Sequence, residues 1–182
     1  MDRNVDVTPA APRASAPAMH WLEALTPDAL EELVELLVVS VEDGASIGFL
    51  PPLDRAEARH YWRGVPGPGV HLYVAKREGM IIGTVQLHPS PKANSSHRAE
   101  VAKLIVHPAA RGAGLGRALM QHAEAEARRL GRSLLVLDTR AGDVANHLYR
   151  SLGYAEAGRI PRYVRSANGA LHETVIYYKE LT

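Results

Sequence analysis

Behind Thr26-Pro27-Asp28, a hydroxyl cap with proline in the first turn, Leu30, Val34, Leu37 and Val41 recur at helical spacing. The pattern predicts a first helix that Asp43-Gly44 closes. A shorter helix is expected from Asp54, after Pro51-Pro52, carrying Ala56, Ala58 and Tyr61 until Gly64-Val65-Pro66-Gly67-Pro68-Gly69 breaks it. Residues 70–76 and 81–88, separated by Arg77-Glu78-Gly79-Met80, read as an antiparallel hairpin, and 90–97 as a polar loop. Residues 101–106 then form a strand candidate, 114–130 an amphipathic helix, and 134–137 an apolar run sized for a central strand. Strand, helix, strand in that order joins two parallel strands by a right-handed crossover. A fourth helix is expected over 143–152, stopped by Gly153, with Val144, Ala145, Leu148 and Leu152 on its apolar side. Closing strands near 154–160 and 174–179 surround the turn Asn168-Gly169. The sum is an α/β chain, a mixed, mostly antiparallel sheet with a central parallel strand-helix-strand unit and flanking helices.

Length and composition narrow this picture. A chain of 182 residues is the size of one domain. Residues 1–18, rich in Ala and Pro and without the apolar run of a signal peptide, read as a disordered tail, leaving a folded unit at 19–182. No stretch has the length of a membrane span, so a soluble protein without a membrane partner is expected. The chain has no cysteine, which removes thiolate nucleophiles and Cys-based metal sites and makes the cytoplasm the expected compartment. Its 21 basic and 20 acidic residues leave a net charge of +1, too balanced for a dedicated nucleic-acid binder. The nine histidines form no His-x-x-x-His pair on a helix, and no bound metal is expected.

The chemistry concentrates between the 101–106 strand and the helix that follows, in Leu104-Ile105-Val106-His107-Pro108-Ala109-Ala110-Arg111-Gly112-Ala113-Gly114-Leu115-Gly116-Arg117. A helix N-terminus has unpaired N–H groups and partial positive charge, and glycines let an anion approach the backbone. Arg111 and Arg117 would add permanent charge for a pyrophosphate. The spacing is not that of a dinucleotide fold, because Arg117 stands where the third glycine should fall. Nor is it a Walker loop, since Gly116 is followed by Arg117-Ala118.

Arg111-Gly112-Ala113-Gly114-Leu115-Gly116 instead resembles the acetyl-CoA signature Arg/Gln-x-x-Gly-x-Gly/Ala of the GNAT superfamily of N-acetyltransferases. Val106-His107-Pro108 looks like that family's strand end, and Asn146-His147-Leu148-Tyr149-Arg150-Ser151-Leu152-Gly153-Tyr154 fits its second recurrent block. Within the superfamily, Glu100 before Lys103-Leu104, Leu137-Asp138-Thr139 and Gly169-Ala170-Leu171-His172-Glu173-Thr174 look like the tabtoxin-resistance acetyltransferase type.

The resemblance implies roles. Backbone groups of Leu104, Ile105 and Val106 would pair with the pantetheine arm, and an N–H near Val106 would polarise the thioester carbonyl. Amides of Gly112, Ala113, Gly114, Leu115, Gly116 and Arg117, with Arg111 beside them, would hold the diphosphate. Tyr149 becomes the proton donor to the departing thiolate and Asn146 a partner of the cofactor arm; each is alternatively a packing or helix-start residue. Under period-two alternation Glu100 shares a strand face with Ala102, Leu104 and Val106, which makes it the general-base candidate, its pKa raised by partial burial. The alternative is a solvated Glu100 paired with Arg98. Asp138 is assigned substrate binding or assistance to the base, or else caps the next turn. His107 and His147 read as surface or hydrogen-bonded, and Trp21, Tyr61 and Trp62 as packing around the first helices. The expected activity is direct acetyl transfer from acetyl-CoA to a primary amine in a ternary complex, the acceptor being small and resembling an amino-acid-like toxin or antibiotic. A protein N-terminus or lysine is the rival acceptor, and a non-catalytic acetyl-CoA sensor the rival class. A monomer or homodimer fits either.

Overall fold

A computed structural model describes residues 17–182. The expected tail at 1–18 therefore lies outside the described residues for 1–16, while Ala18 belongs to a strand. The elements are β1 (Ala18–Leu22), α1 (Pro27–Glu42), α2 (Arg55–Arg63), β2 (His71–Arg77), β3 (Met80–Pro89), β4 (Arg98–Val106), α3 (Leu115–Arg129), β5 (Leu134–Arg140), α4 (Ala145–Ser151), β6 (Ala155–Arg165) and β7 (Leu171–Glu180). Among the described residues seven strands form one sheet in the order β1-β2-β3-β4-β5-β7-β6. Every neighbouring pair is antiparallel except β4 and β5, the pair that α3 connects. No helix among them is long and apolar enough to cross a membrane.

The helix starts follow their caps. Thr26 Oγ1 accepts from Ala29 N at 3.2 Å and an Asp54 carboxylate oxygen from Ala56 N at 2.6 Å, each satisfying a donor the first turn leaves free. The sheet is covered on both faces, so its inner strands are apolar without clean alternation. Along β2, Leu72 and Val74 pack under α1 and α2, while Tyr73 and Ala75 pack under α3. Both edge strands differ from expectation. β1 escapes sequence patterning because it is a five-residue edge strand with Ala18, His20 and Trp21 exposed, held by its ladder to β2. β6 runs on to Arg165 through irregular, largely exposed pairing with a positive φ of 56° at Arg162, so no periodicity marks its second half.

The consequential correction concerns β4. Gln86 pairs with Ala102 but Thr84 with Ile105, so Val85 faces two residues, Lys103 and Leu104, and Lys103 takes a φ of 49°. This is a β-bulge, pinned by the Thr84 hydroxyl donating to the Lys103 carbonyl at 3.0 Å. The extra residue reverses the phase of every side chain beyond it. Leu104 and Val106 therefore pack with Val101 toward α3, Ile105 packs toward α1 and α2, and Glu100 does not share a face with Leu104 and Val106.

Candidate active site

The parallel ladder between β4 and β5 lasts for three pairs only, Arg98 with Leu134, Ala99 with Leu135 and Glu100 with Val136. β5 remains paired to β7 as far as Arg140 with Thr174, and β4 to β3 as far as Val106 with Gly83. The sheet thus splits, and residues 101–106 present a strand edge with no ladder partner on the β5 side. The split opens into a cavity of about 1050 Å³, bounded by the loop after α1, the start of α3, the end of β5, α4 and the β6 strand near Tyr163.

At one end lies the glycine turn. Gly112 and Gly114 have φ of 78° and 80°, and a β-carbon at either would meet nothing within 4 Å, so the backbone conformation rather than space requires glycine there. Gly114 is the N-cap of α3 and no side chain among the described residues caps the helix, so the first-turn N–H groups of Leu115, Gly116 and Arg117, residues that line the cavity, have no cap partner. Gly116 serves closeness: its β-carbon would stand 3.4 Å from Leu148 and 3.8 Å from Val106, where α3, α4 and β4 meet. Arg111 and Arg117 line the cavity with partners already in place, Arg111 paired to Asp43 and Arg117 donating to Ser151 Oγ at 2.7 Å. His107 caps its own turn, its Nδ1 accepting from Ala109 N at 3.2 Å.

Tyr149 lines the same cavity, its ring 5.9 Å from those of Tyr154 and Tyr177 and its hydroxyl without a hydrogen-bond partner among the described residues. Burial, then the charges of Asp138 and Asp143, push the phenol above its ordinary range, so it holds its proton at neutral pH. Asn146 turns away from the cavity. Its Nδ2 donates to the carbonyls of Arg140 at 2.9 Å and Asp143 at 2.8 Å, and its Oδ1 accepts from the Tyr177 hydroxyl at 3.0 Å. Ala113 is likewise not among the lining residues.

Glu100 and Asp138 line the cavity where the strands part, on the same sheet face, since Glu100 pairs with Val136 two residues before Asp138. Both are exposed, so the partial burial expected for Glu100 is absent. Glu100 makes no ion pair with Arg98 among the described residues, whereas Asp138 Oδ2 accepts from the buried Thr174 hydroxyl at 2.8 Å. Arg140, at the end of β5, bonds Asp143 and Ser166, linking α4 to the β6–β7 hairpin. Trp62 is fully buried under α1 and Trp21 stacks on His71, so neither lines the cavity.

Sequence patterning missed Lys103. Its ammonium reaches into the cavity beside Gly48, 5.7 Å above the centre of the Tyr61 ring. Burial lowers its pKa, opposed by Asp138 and then Glu100. The one available signal was a lysine interrupting the apolar run Val101-Ala102-Lys103-Leu104-Ile105-Val106.

The model of the acetyltransferase (GNAT) family matches residues 30–154. An IAA acetyltransferase of Azospirillum brasilense is 32% identical over 120 residues, which is 63% of this chain and 75% of the relative. An amino-acid acetyltransferase of Pseudomonas putida is 36% identical over 111 residues, 59% of this chain but only 24% of that longer protein. A Salmonella typhimurium structure with its cofactor acetyl-CoA shares the fold at a TM-score of 0.72 and 23% identity, over 91% of this chain and 95% of its own.

Proposed function

The chain belongs to the acetyltransferase (GNAT) family, and from that premise we propose that it transfers the acetyl group of acetyl-CoA directly to the primary amine of a small molecule in a ternary complex. The observation that carries the reading is the split between β4 and β5, which joins an uncapped helix N-terminus to a protonated, unpartnered phenol and two carboxylates in one cavity. Acetyl-CoA supplies an acyl group already activated as a thioester. The amides of 112–117 hold its diphosphate and the open edge of Leu104, Ile105 and Val106 holds its extended arm. Glu100 or Asp138, directly or through water, takes a proton from the substrate ammonium and leaves a neutral, nucleophilic amine. As the C–N bond forms and the C–S bond breaks, the Tyr149 hydroxyl protonates the thiolate. The chain has no cysteine to carry the acetyl group covalently, in keeping with direct transfer.

Relatives named for amino-acid and IAA acetylation support a small acceptor. The segments at 100–104, 137–139 and 169–174 further support the tabtoxin-resistance type within the family, with an amino-acid-like acceptor. The test is thiol release from acetyl-CoA with a panel of small amines and N-terminal peptides. CoA release with small amines, above the hydrolysis background, supports the reading. Preference for peptides overturns the small-molecule acceptor, and saturable CoA binding with no release by any amine overturns catalysis itself.

A further inference from the structure

Five cationic side chains line the cavity, and four of them are committed: Arg111 to Asp43, Arg117 to Ser151, Arg140 to Asp143 and Ser166, and Arg165 to the Gly169 carbonyl. The fifth, Lys103, has no hydrogen-bond acceptor and no carboxylate within 4.0 Å among the described residues, although Glu100 and Asp138 share its cavity. A partly buried ammonium is costly unless a counter-charge meets it. Here the chain stabilises it through the face of Tyr61, 5.7 Å away, whose hydroxyl is held by Gln86 Nε2 at 2.9 Å, and through the more distant charges of Asp138 and Glu100, neither of which pairs with it directly.

Its placement is also paid for in backbone strain. A φ of 49° is uncommon for any residue with a side chain, and such conformations persist where the surroundings impose them. The bulge turns Lys103 toward the loop after α1 rather than toward α3, on the side of the sheet that carries Glu100 and Asp138. The diphosphate cradle at 112–117 lies instead at the start of α3. Of the four carboxylates that line the cavity, Asp43 and Asp143 are paired to arginines, which leaves Glu100 and Asp138 to receive an ammonium and, on the same face, one ammonium without an ion-pair partner among the described residues to receive an anion.

We infer that Lys103 is a specificity-determining residue that binds an acid group of the acceptor, so that the substrate is a zwitterion bearing a carboxylate or phosphonate near its amine. The assignment rests on the acetyl-transfer reading and adds the second charge of the acceptor to it. Arginine would approach a carboxylate through two parallel donors; lysine presents a compact point charge and tolerates either oxyanion.

The test measures kcat/KM by thiol release for matched acceptors: amino acids, their carboxamides and 1-aminoalkylphosphonates. Wild-type protein should prefer both acids to the carboxamide. Lys103→Gln should reduce that preference about 10–100-fold, the range for losing one hydrogen bond to a charged group, chiefly through KM for the amine. Lys103→Arg should retain most of it. Urea unfolding establishes that each variant is folded, and Lys103→Met provides a second neutral replacement with the same φ requirement. A wild-type preference for carboxamides, or an unchanged ratio in folded Lys103→Gln and Lys103→Met, overturns the assignment while leaving acetyl transfer intact. A rise in KM confined to acetyl-CoA would place Lys103 on the cosubstrate instead and also overturn it. No thiol release above the hydrolysis background with any acceptor removes the acetyl-transfer reading and this one with it.

Discussion

The hydroxyl of Tyr177 on β7 donates to Oδ1 of Asn146 on α4 across 3.0 Å, and the bond is fully buried. Both N–H groups of the Asn146 amide are occupied by the carbonyls of Arg140 and Asp143, so the side chain ties the end of β5 to the start of α4. It has no donor left for a cofactor arm. Asn146 is a positioning residue in this structure: it holds the helix on which Tyr149 stands three residues later. Tyr177→Phe should leave one buried acceptor unsatisfied and lower stability by about 1–3 kcal/mol, with CoA affinity nearly unchanged. Urea unfolding beside CoA calorimetry checks it; a large loss of affinity at constant stability would return Asn146 to the cofactor.

The contrast between Tyr149 and Asn146 shows what the sequence carries. The helix caps at Thr26 and Asp54, the glycine turn and the order of strands and helices were legible because each depends on residues near one another in the chain. The partners of Asn146 were not, since Tyr177 is 31 positions away and only the folded sheet brings it under α4. The phase of β4 was hidden for a similar reason. Alternation is a local rule, but the bulge at Lys103 exists only in the pairing of β4 with β3, and it moved Leu104 and Val106 off the face of Glu100. β1 has too few inward residues for a pattern to register.

Tyr149→Phe removes the hydroxyl and little else, because that hydroxyl has no hydrogen-bond partner among the described residues to abandon and the ring contacts with Tyr154 and Tyr177 remain. Turnover should fall about 10²-fold or more, as for loss of a general acid, with KM for acetyl-CoA little changed. The raised phenol pKa adds a pH statement: ionisation of Tyr149 should not limit kcat anywhere between neutrality and its ordinary value near 10. Steady-state profiles of wild type and variant decide both. Equal losses in turnover, affinity and folding would make the tyrosine structural.

Gly114→Glu separates the anion site from the fold. A β-carbon there meets nothing within 4 Å, so the folding cost is that of a non-glycine residue at φ 80°, about 1–2 kcal/mol. The carboxylate, however, would stand at the uncapped start of α3, where the proposed diphosphate sits. CoA affinity should drop at least about tenfold, the change that corresponds to 1.4 kcal/mol. Calorimetry with CoA on folded variant reads the outcome; undiminished binding would remove the diphosphate from this turn.

Stability at high pH should be governed in part by Tyr73, buried between β2 and α3. Its pKa is pushed up to about 12, first by burial and then by the adjacent Glu126 carboxylate, whose Oε2 accepts from the hydroxyl at 3.3 Å. The folded state therefore keeps a proton that the unfolded chain releases near pH 10. Where the native state binds more protons than the unfolded one, stability falls as pH rises. The contribution of Tyr73 is thus complete below pH 10 and is lost progressively between pH 10 and about 12. Tyr154 is raised by burial and by Glu124 in the same sense and adds to the decline. Tyr73→Phe has no proton to lose, so its urea midpoint should fall less steeply than that of wild type across this window. Parallel declines in the two proteins would mean that Tyr73 titrates in the folded state as it does in the unfolded chain.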